Sequence, residues 1–387
     1  MRWDCEIEPP ATIAVIGGGP TGIEVAIYAR FLGYDCLLFD AGRPARFVKR
    51  WHQRPMGSTG EALTTPLGWA AIRTQEPDST RFDLTHSWTG EQFERDYLTP
   101  LAKTDLVHDC VHFNSPIVEV CRHSLYRWED GDLQARANAE FRLLVDSRYR
   151  GRYWAVADAV IDCRSVRGRP LGLGPGGGQA IGQAEHQAEL WTDWPLDDRF
   201  EPHRADKMQF LLSGLDAEAV RFGEELCRVL AGKKAETRLH WLVRPQELAE
   251  ADALAARWTA ETACDPALIQ TVAGFGISRI EKRGERWACE LMTADDASRP
   301  YEVDAVVPIS LRDFDPSIAP TLRLDDHADG EPYFVTGEPN YYALPAPRLP
   351  LGEDGLKPTH GLIRELFALL GGRENLDLYD IVRRQGL

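Results

Sequence analysis

Thr12-Ile13-Ala14-Val15-Ile16-Gly17-Gly18-Gly19-Pro20-Thr21-Gly22 runs from an apolar stretch straight into a glycine turn. The apolar run predicts a buried parallel strand over 11–16. The residues after the turn predict a helix over 20–32, with Ile23, Ala26, Ile27 and Ala29 on one face and Gly33 as its stop. Cys36-Leu37-Leu38-Phe39 reads as the next strand, and Asp40 closes it. Strand, glycine turn, helix, strand and terminal acid together make a βαβ unit.

Gly17, Gly19 and Gly22 satisfy G-x-G-x-x-G. Gly17 permits the tight turn, Gly19 lets backbone approach a pyrophosphate, and Gly22 lets the helix pack closely on the strand. Pro20 and Thr21 complete the turn, and the unpaired amides at the helix start attract phosphate charge. Asp40 lies 18 residues beyond Gly22, about where an acid meets a ribose diol. The opposing reading is an empty fold that uses these glycines for packing alone. An acid at this position disfavours a phosphorylated ribose, so FAD and NAD(H) both suit it. Arg43 opens a short basic run that serves either a phosphate or a solvated loop.

The 387 residues suffice for a substantial core, read as two domains. Hydrophobic residues make up 43% and charged residues 27%, a folded composition rather than a disordered one. A net charge of -16 without a basic stripe argues against nucleic acid. No segment reaches membrane-spanning length, and no basic stretch with an apolar core opens the chain. Cys5, Cys36, Cys110, Cys121, Cys163, Cys227, Cys264 and Cys289 form no C-x-x-C pair. They read as buried thiols of a reducing compartment, so a cytoplasmic location is expected.

Further along, 91–98 reads as a helix stopped by Pro100, alternation returns over 108–121, and 139–146 with 152–157 suggest a hairpin. Ala159 to Cys163 reads as a short buried strand. A second β–turn–α–β pattern follows, with a strand over 208–212, a helix over 217–230, a strand over 238–243 and a helix over 246–258. Strands are expected again at 284–293, 302–308 and 333–337, and a closing helix at 359–370 with Thr359 as its cap. Two nucleotide-like units in one chain favour a flavin reduced by a nicotinamide.

With these motifs the chain resembles the two-dinucleotide-binding-domain flavoproteins, the broad group that includes thioredoxin reductases and flavin-containing monooxygenases. The resemblance assigns Gly17, Gly19, Gly22 and Asp40 to the ADP half of FAD. It makes Ala159 to Ser165 the place where the chain crosses back beside the cofactor. There the group has a small residue and then glycine, and this chain has Asp162-Cys163-Arg164-Ser165. Gly337 and Glu338 look like the late strand end that approaches the flavin pyrophosphate and ribityl chain. In the second unit Gly214 and Ala219 fit the glycine frame, but Asp216 takes the middle glycine's place, where its bulk and charge oppose a pyrophosphate. Arg244 stands where the group often reads the extra phosphate of NADPH. Two readings stay open: NADPH bound through a modified loop, or a second domain that has lost nicotinamide binding.

The lack of C-x-x-C removes a disulfide relay of the thioredoxin-reductase kind. His108-x-Cys110-x-His112 offers three candidate ligands along one strand face, though packing accounts for them better than a metal. His52, Arg54 and Ser58 are polar groups in a region that passes near the flavin in the resembling group. No catalytic acid or base is identified.

The expected fold is α/β: a discontinuous Rossmann-like FAD domain over 1–175 and 310–387, interrupted by a second, degenerate nucleotide-binding-like domain over 200–309. The expected function is an FAD-dependent oxidoreductase acting on a small organic substrate without a working NADPH site. The alternatives are a non-catalytic flavin-binding structural or interaction subunit, an NAD(P)H-dependent monooxygenase, and an NAD(H) dehydrogenase without flavin. A small-molecule substrate or a protein redox partner is expected, with no nucleic acid and no membrane insertion; an oligomer stays open.

Overall fold

The computed structural model describes residues 6–43, 55–75, 82–129, 132–164, 172–190, 207–215, 217–231, 236–293, 298–308, 316–324, 331–344, 353–373 and 375–385. The chain divides into two compact units, Met1–Gly168 with Phe314–Leu387, and Arg169–Asp313.

The first unit opens with β1 (Thr12–Ile16), α1 (Pro20–Phe31) and β2 (Asp35–Phe39). A small antiparallel pair follows, β3 (Pro55–Thr59) and β4 (Ser87–Thr89), with α2 (Pro66–Gln75) between them. Then come the two-residue β5 (Val111–His112) and the meander of β6 (Ile117–Arg122), β7 (Phe141–Ser147) and β8 (Gly151–Ala157). The chain re-enters the main sheet as β9 (Ala159–Asp162).

The second unit holds β10 (Gln209–Ser213), α3 (Ala217–Val229), β11 (Arg238–Val243), α4 (Leu248–Thr262), β12 (Ile269–Arg283), β13 (Arg286–Thr293), β14 (Ser298–Val303) and β15 (Ala305–Pro308). Its six-stranded sheet runs β14-β13-β12-β11-β10-β15, parallel from β12 to β15 and antiparallel at the other edge. Trp241 and Trp258 stack at its centre with ring centroids 5.3 Å apart.

Back in the first unit, β16 (Tyr341–Ala343), α5 (Lys357–Leu370) and α6 (Leu378–Gln385) complete the chain. The main sheet is wholly parallel, in the order β16-β9-β1-β2-β5. β9 is buried at every position, as a strand covered on both faces must be, whereas β7 alternates strictly because only one face of the meander is covered. Phe141, Leu143 and Val145 of β7 pack with Ala14, Ile16, Val160 and Tyr341. From Pro20 to Ala29 every residue of α1 is buried, so this helix is interior rather than amphipathic.

Several local expectations need correction. Pro100 does not end the helical run: Gly90–Phe93 continues through a widened turn, Glu94–Leu98, into Thr99–Leu101. The wider turn relieves the clash a proline ring makes with the preceding carbonyls. His108–Cys110 is a short helical turn, not strand. The fifteen-residue β12 escapes the sequence pattern because register shifts at Gly274/Gly276 and Ile277/Arg279 break its alternation. Thr359 lies inside α5, whose cap is Leu356. The segment 333–337 is not a strand. It makes one bridge, Val335 to Tyr342, and the sheet strand is β16 beyond it.

Candidate functional site

The carboxyl ends of β1, β2 and β9 meet at the glycine turn. The Gly17 amide donates to the Phe39 carbonyl at 2.8 Å, and the Cys163 amide donates to the Ile16 carbonyl at 2.8 Å. Each fingerprint glycine faces a different constraint. Gly17 has φ +105, and a Cβ there would stand 2.9 Å from the Cys163 carbonyl oxygen. A Cβ on Gly22 would collide with the Gly17 carbonyl oxygen, so this residue sets how closely α1 lies on β1. A Cβ on Gly19 would meet nothing within 4 Å. The first and third glycines are therefore required by the protein's own packing, whereas nothing in the protein excludes a side chain at the middle one.

Gly19 caps α1 without any side-chain hydrogen bond, and the first turn holds no acid. The positive end of the helix thus faces that space with no acid in its own first turn. Pro20 occupies the first turn, where its missing amide costs nothing. Thr21 is 3% exposed, and its hydroxyl has no hydrogen-bond partner among the described residues. An open cradle, an uncapped helix start and an orphaned hydroxyl fit a diphosphate ligand.

Asp40 turns its carboxylate into the same turn. The Gly18 amide donates to Oδ2 at 2.6 Å and the Gly42 amide donates to Oδ1 at 2.6 Å. A carboxylate offers about four acceptor sites, so two remain for a vicinal diol. Beyond Asp40, the Ser115 amide donates to the Asp40 carbonyl and the Asn114 amide to the Gly42 carbonyl, each at 2.8 Å. These bonds tie the loop after β5 to the loop after β2. A cleft of about 490 Å³ opens there, lined by Arg43, His112, Ser147, Arg150 and Tyr153 among others. His112 stacks on Phe39 with centroids 5.1 Å apart. Burial, reinforced by the Arg150 charge, lowers its pKa, which keeps the imidazole neutral near pH 7.

On the other side of β1, Asp162 ends β9 at 2% exposure. Arg164 donates to it through its backbone amide at 3.0 Å, through Nε at 2.9 Å and through a terminal nitrogen at 2.7 Å, and the Tyr341 hydroxyl donates at 2.9 Å. This cluster stands where a small residue and glycine were expected. The sequence signal for it was the run Asp162-Cys163-Arg164, visible but unassigned.

Gly337 and Glu338 are not part of this site. They precede β16, so they lie at the amino end of a parallel strand, opposite the glycine turn. Glu338 is also fully buried and fully engaged. Arg122 Nε donates to Oε1 at 2.9 Å, Arg136 donates to Oε2 at 2.8 Å, and the Arg323 amide donates to Oε2 at 3.0 Å. Arg122 also lies 3.6 Å over the Phe141 ring. The pairing pins the approach to β16 against the meander, a structural role.

In the second unit, Gly214 repeats the first turn with φ +104, its amide donating to the Leu242 carbonyl at 2.9 Å. Its carbonyl accepts from the Trp241 indole at 2.7 Å. Ala219 is fully buried, and Asp216 lies outside the described residues. Arg244, exposed, is ion-paired with Glu247. No group of His, Cys, Asp and Glu able to hold a metal occurs among the described residues. Of the three residues 108, 110 and 112, His108 is exposed beside Asp109 while Cys110 is buried. His52 and Arg54 lie outside the described residues, and Ser58 is buried in β3. Two thiol pairs the sequence did not reveal come together, Cys36 with Cys110 and Cys227 with Cys264. No helix among the described residues is long and apolar enough to cross a membrane.

No protein-family model and no curated protein sequence matches the chain. Solved structures do. The FAD-bound cadaverine monooxygenase of desferrioxamine biosynthesis from Erwinia amylovora is 12% identical, with TM-score 0.58 over 94% of each chain. The bacillithiol disulfide reductase from Bacillus cereus is 17% identical, with TM-score 0.52 over 86% of this chain and 89% of that one. A flavin monooxygenase from Stenotrophomonas maltophilia, in a mutant form, is 16% identical, with TM-score 0.52 over 92% of this chain and 98% of that one. The chain therefore has the Rossmann-like α/β fold of the two-dinucleotide-binding-domain flavoproteins.

Proposed function

We propose that this protein is an FAD-dependent oxidoreductase acting on a small organic substrate. The observation that carries the reading is the contrast at the fingerprint: Gly17 and Gly22 are closed in by protein, while Gly19 faces open space at an uncapped helix start. The proposed cofactor site comprises Gly17, Gly19, Pro20, Thr21, Gly22 and Asp40, with Arg43 on the cleft beyond. The α1 amides and the Thr21 hydroxyl receive the diphosphate. Asp40 accepts the ribose hydroxyls with the lone pairs its two backbone amides leave over. The neutral His112 and Tyr153 offer the adenine a surface in the adjoining cleft. Bound FAD supplies two-electron chemistry at its isoalloxazine ring, and the chain holds and orients it. The FAD found in the Erwinia amylovora structure supports this assignment.

The second unit is proposed to bind NADPH weakly or not at all. Asp216 replaces the middle glycine, and Arg244 is already occupied by Glu247. A non-catalytic flavin-binding subunit is the competing reading.

Purified protein is expected to be yellow and to release FAD on denaturation. A colourless preparation that binds NADH but not FAD in calorimetry would reject the assignment. Anaerobic stopped-flow mixing with NADPH is expected to leave the flavin oxidised; rapid stoichiometric reduction would overturn the view of the second unit.

A further inference from the structure

The order β16-β9-β1-β2-β5 reverses direction at β1, since β2 and β5 extend the sheet one way and β9 and β16 the other. The crevice between the carboxyl ends of β1 and β9 is thus the topological switch point, where open parallel sheets bind ligands. Arg164 emerges there. Its amide nitrogen stands 3.0 Å from where a Cβ on Gly17 would lie. The Arg164 backbone therefore borders the same turn as the open Gly19 cradle and the orphaned Thr21 hydroxyl, and the arginine side chain starts from that turn.

We propose that Arg164 is a diphosphate-binding residue, held ready by Asp162 and Tyr341. The proposal rests on the dinucleotide reading of the first unit and adds to it a cation that the glycine fingerprint does not contain.

Asp162 alone would be a buried carboxylate beside an incoming anion, which repels it. Paired with Arg164 the cluster is neutral at rest. The guanidinium side chain is 27% exposed, against 1% for its acid, and its Nε and one terminal nitrogen are fixed on Asp162. The Tyr341 hydroxyl holds Asp162 from the β16 side, and burial beside that carboxylate raises the phenol's pKa well above its ordinary range, so it stays a donor. A guanidinium suits a diphosphate because its planar fork can meet two oxygens at once. In this arrangement Asp162 and the diphosphate compete for one cation. The acid orients Arg164 when the crevice is empty, and the arginine shifts its hydrogen bonds outward when the diphosphate arrives. The Arg164 amide and the Tyr341 hydroxyl continue to hold Asp162 in place.

The competition gives the two partners opposite signs in a binding experiment. Cofactor-stripped full-length protein is titrated by calorimetry with FAD, ADP and adenosine. Arg164→Ala should weaken FAD and ADP about ten- to hundredfold while leaving adenosine within about twofold, because only the charged contact is lost. Arg164→Lys keeps the charge and loses the fork, and should fall between. Asp162→Asn removes the competitor and should bind ADP at least as tightly as the parent. A pair that merely braces the fold would behave otherwise: both variants would weaken all three ligands together. Unchanged ADP affinity in Arg164→Ala, or a loss in Asp162→Asn as large as that in Arg164→Ala, overturns the proposal. If Arg164→Ala fails to fold, Arg164→Lys and Asp162→Asn decide the sign between them. Parent protein that binds ADP but not FAD sinks the flavin reading and leaves this one to the variants. Parent protein that binds neither sinks both.

Discussion

Replacing Glu24 with Gln should stabilise this protein, and by an amount that depends on pH. Glu24 sits inside α1 at 2% exposure. The Thr65 hydroxyl donates to Oε1 at 2.8 Å and the Tyr97 hydroxyl to Oε2 at 3.4 Å. Its hydrogen-bonding partners among the described residues are hydroxyls, with no cation between them. Burial pushes its carboxyl up from an ordinary 4.5 to about 7, against the smaller opposing pull of Thr65, Tyr379 and Tyr97. The folded chain then holds this proton more tightly than the unfolded chain. The associated stability is fully present below about pH 4.5 and is lost as pH rises through 7. A gap of about 2.5 pKa units corresponds to about 3 kcal/mol above neutrality. Gln cannot ionise; its amide oxygen still accepts from the Thr65 hydroxyl, and its NH2, standing in for Oε2, donates to the Tyr97 hydroxyl oxygen. Glu24→Gln should therefore exceed the parent by about 3 kcal/mol at pH 8, the difference shrinking below about 1 kcal/mol at pH 5. Urea unfolding followed by far-UV circular dichroism across that range measures it. Parallel pH profiles for the two proteins, or a less stable variant at pH 8, would refute the reasoning.

The fingerprint glycines should separate folding from binding. Gly19→Ala meets no protein atom, so stability should stay within about 1 kcal/mol while FAD affinity falls about tenfold or more in a fluorescence titration. Gly22→Ala drives a methyl into the Gly17 carbonyl and should destabilise the unliganded protein by about 3 kcal/mol or more, seen as a lower melting temperature. Glu338→Gln leaves Arg122 and Arg136 buried without a counter-charge and should cost about 3–5 kcal/mol in urea unfolding; an unperturbed midpoint would show that the surrounding carbonyls alone satisfy both guanidinium groups.

The βαβ unit from Thr12 to Asp40 was legible in the sequence because its information is local. Apolar periodicity, a glycine turn and a terminal acid are each written within a few residues, and each glycine's role follows from having no side chain. The second unit's Gly214 turn was legible for the same reason. Gly337 and Glu338 were misread because Thr336-Gly337-Glu338 has the composition of a strand end, and composition does not say which strand hydrogen-bonds into the sheet. Pairing of β16 with β9, residues far apart in sequence, put those two at the opposite end of the strand and handed Glu338 to two buried arginines. The same long-range pairing brought Tyr341 onto Asp162, and the pairing of β9 with β1 set the Arg164 amide beside Gly17. What the sequence determined alone was the kind of ligand edge this chain builds, since that depends on neighbours along the backbone. Which charges border that edge was decided only by the tertiary structure, because a side chain's electrostatic partners are whatever the folded sheet places within a few ångströms of it.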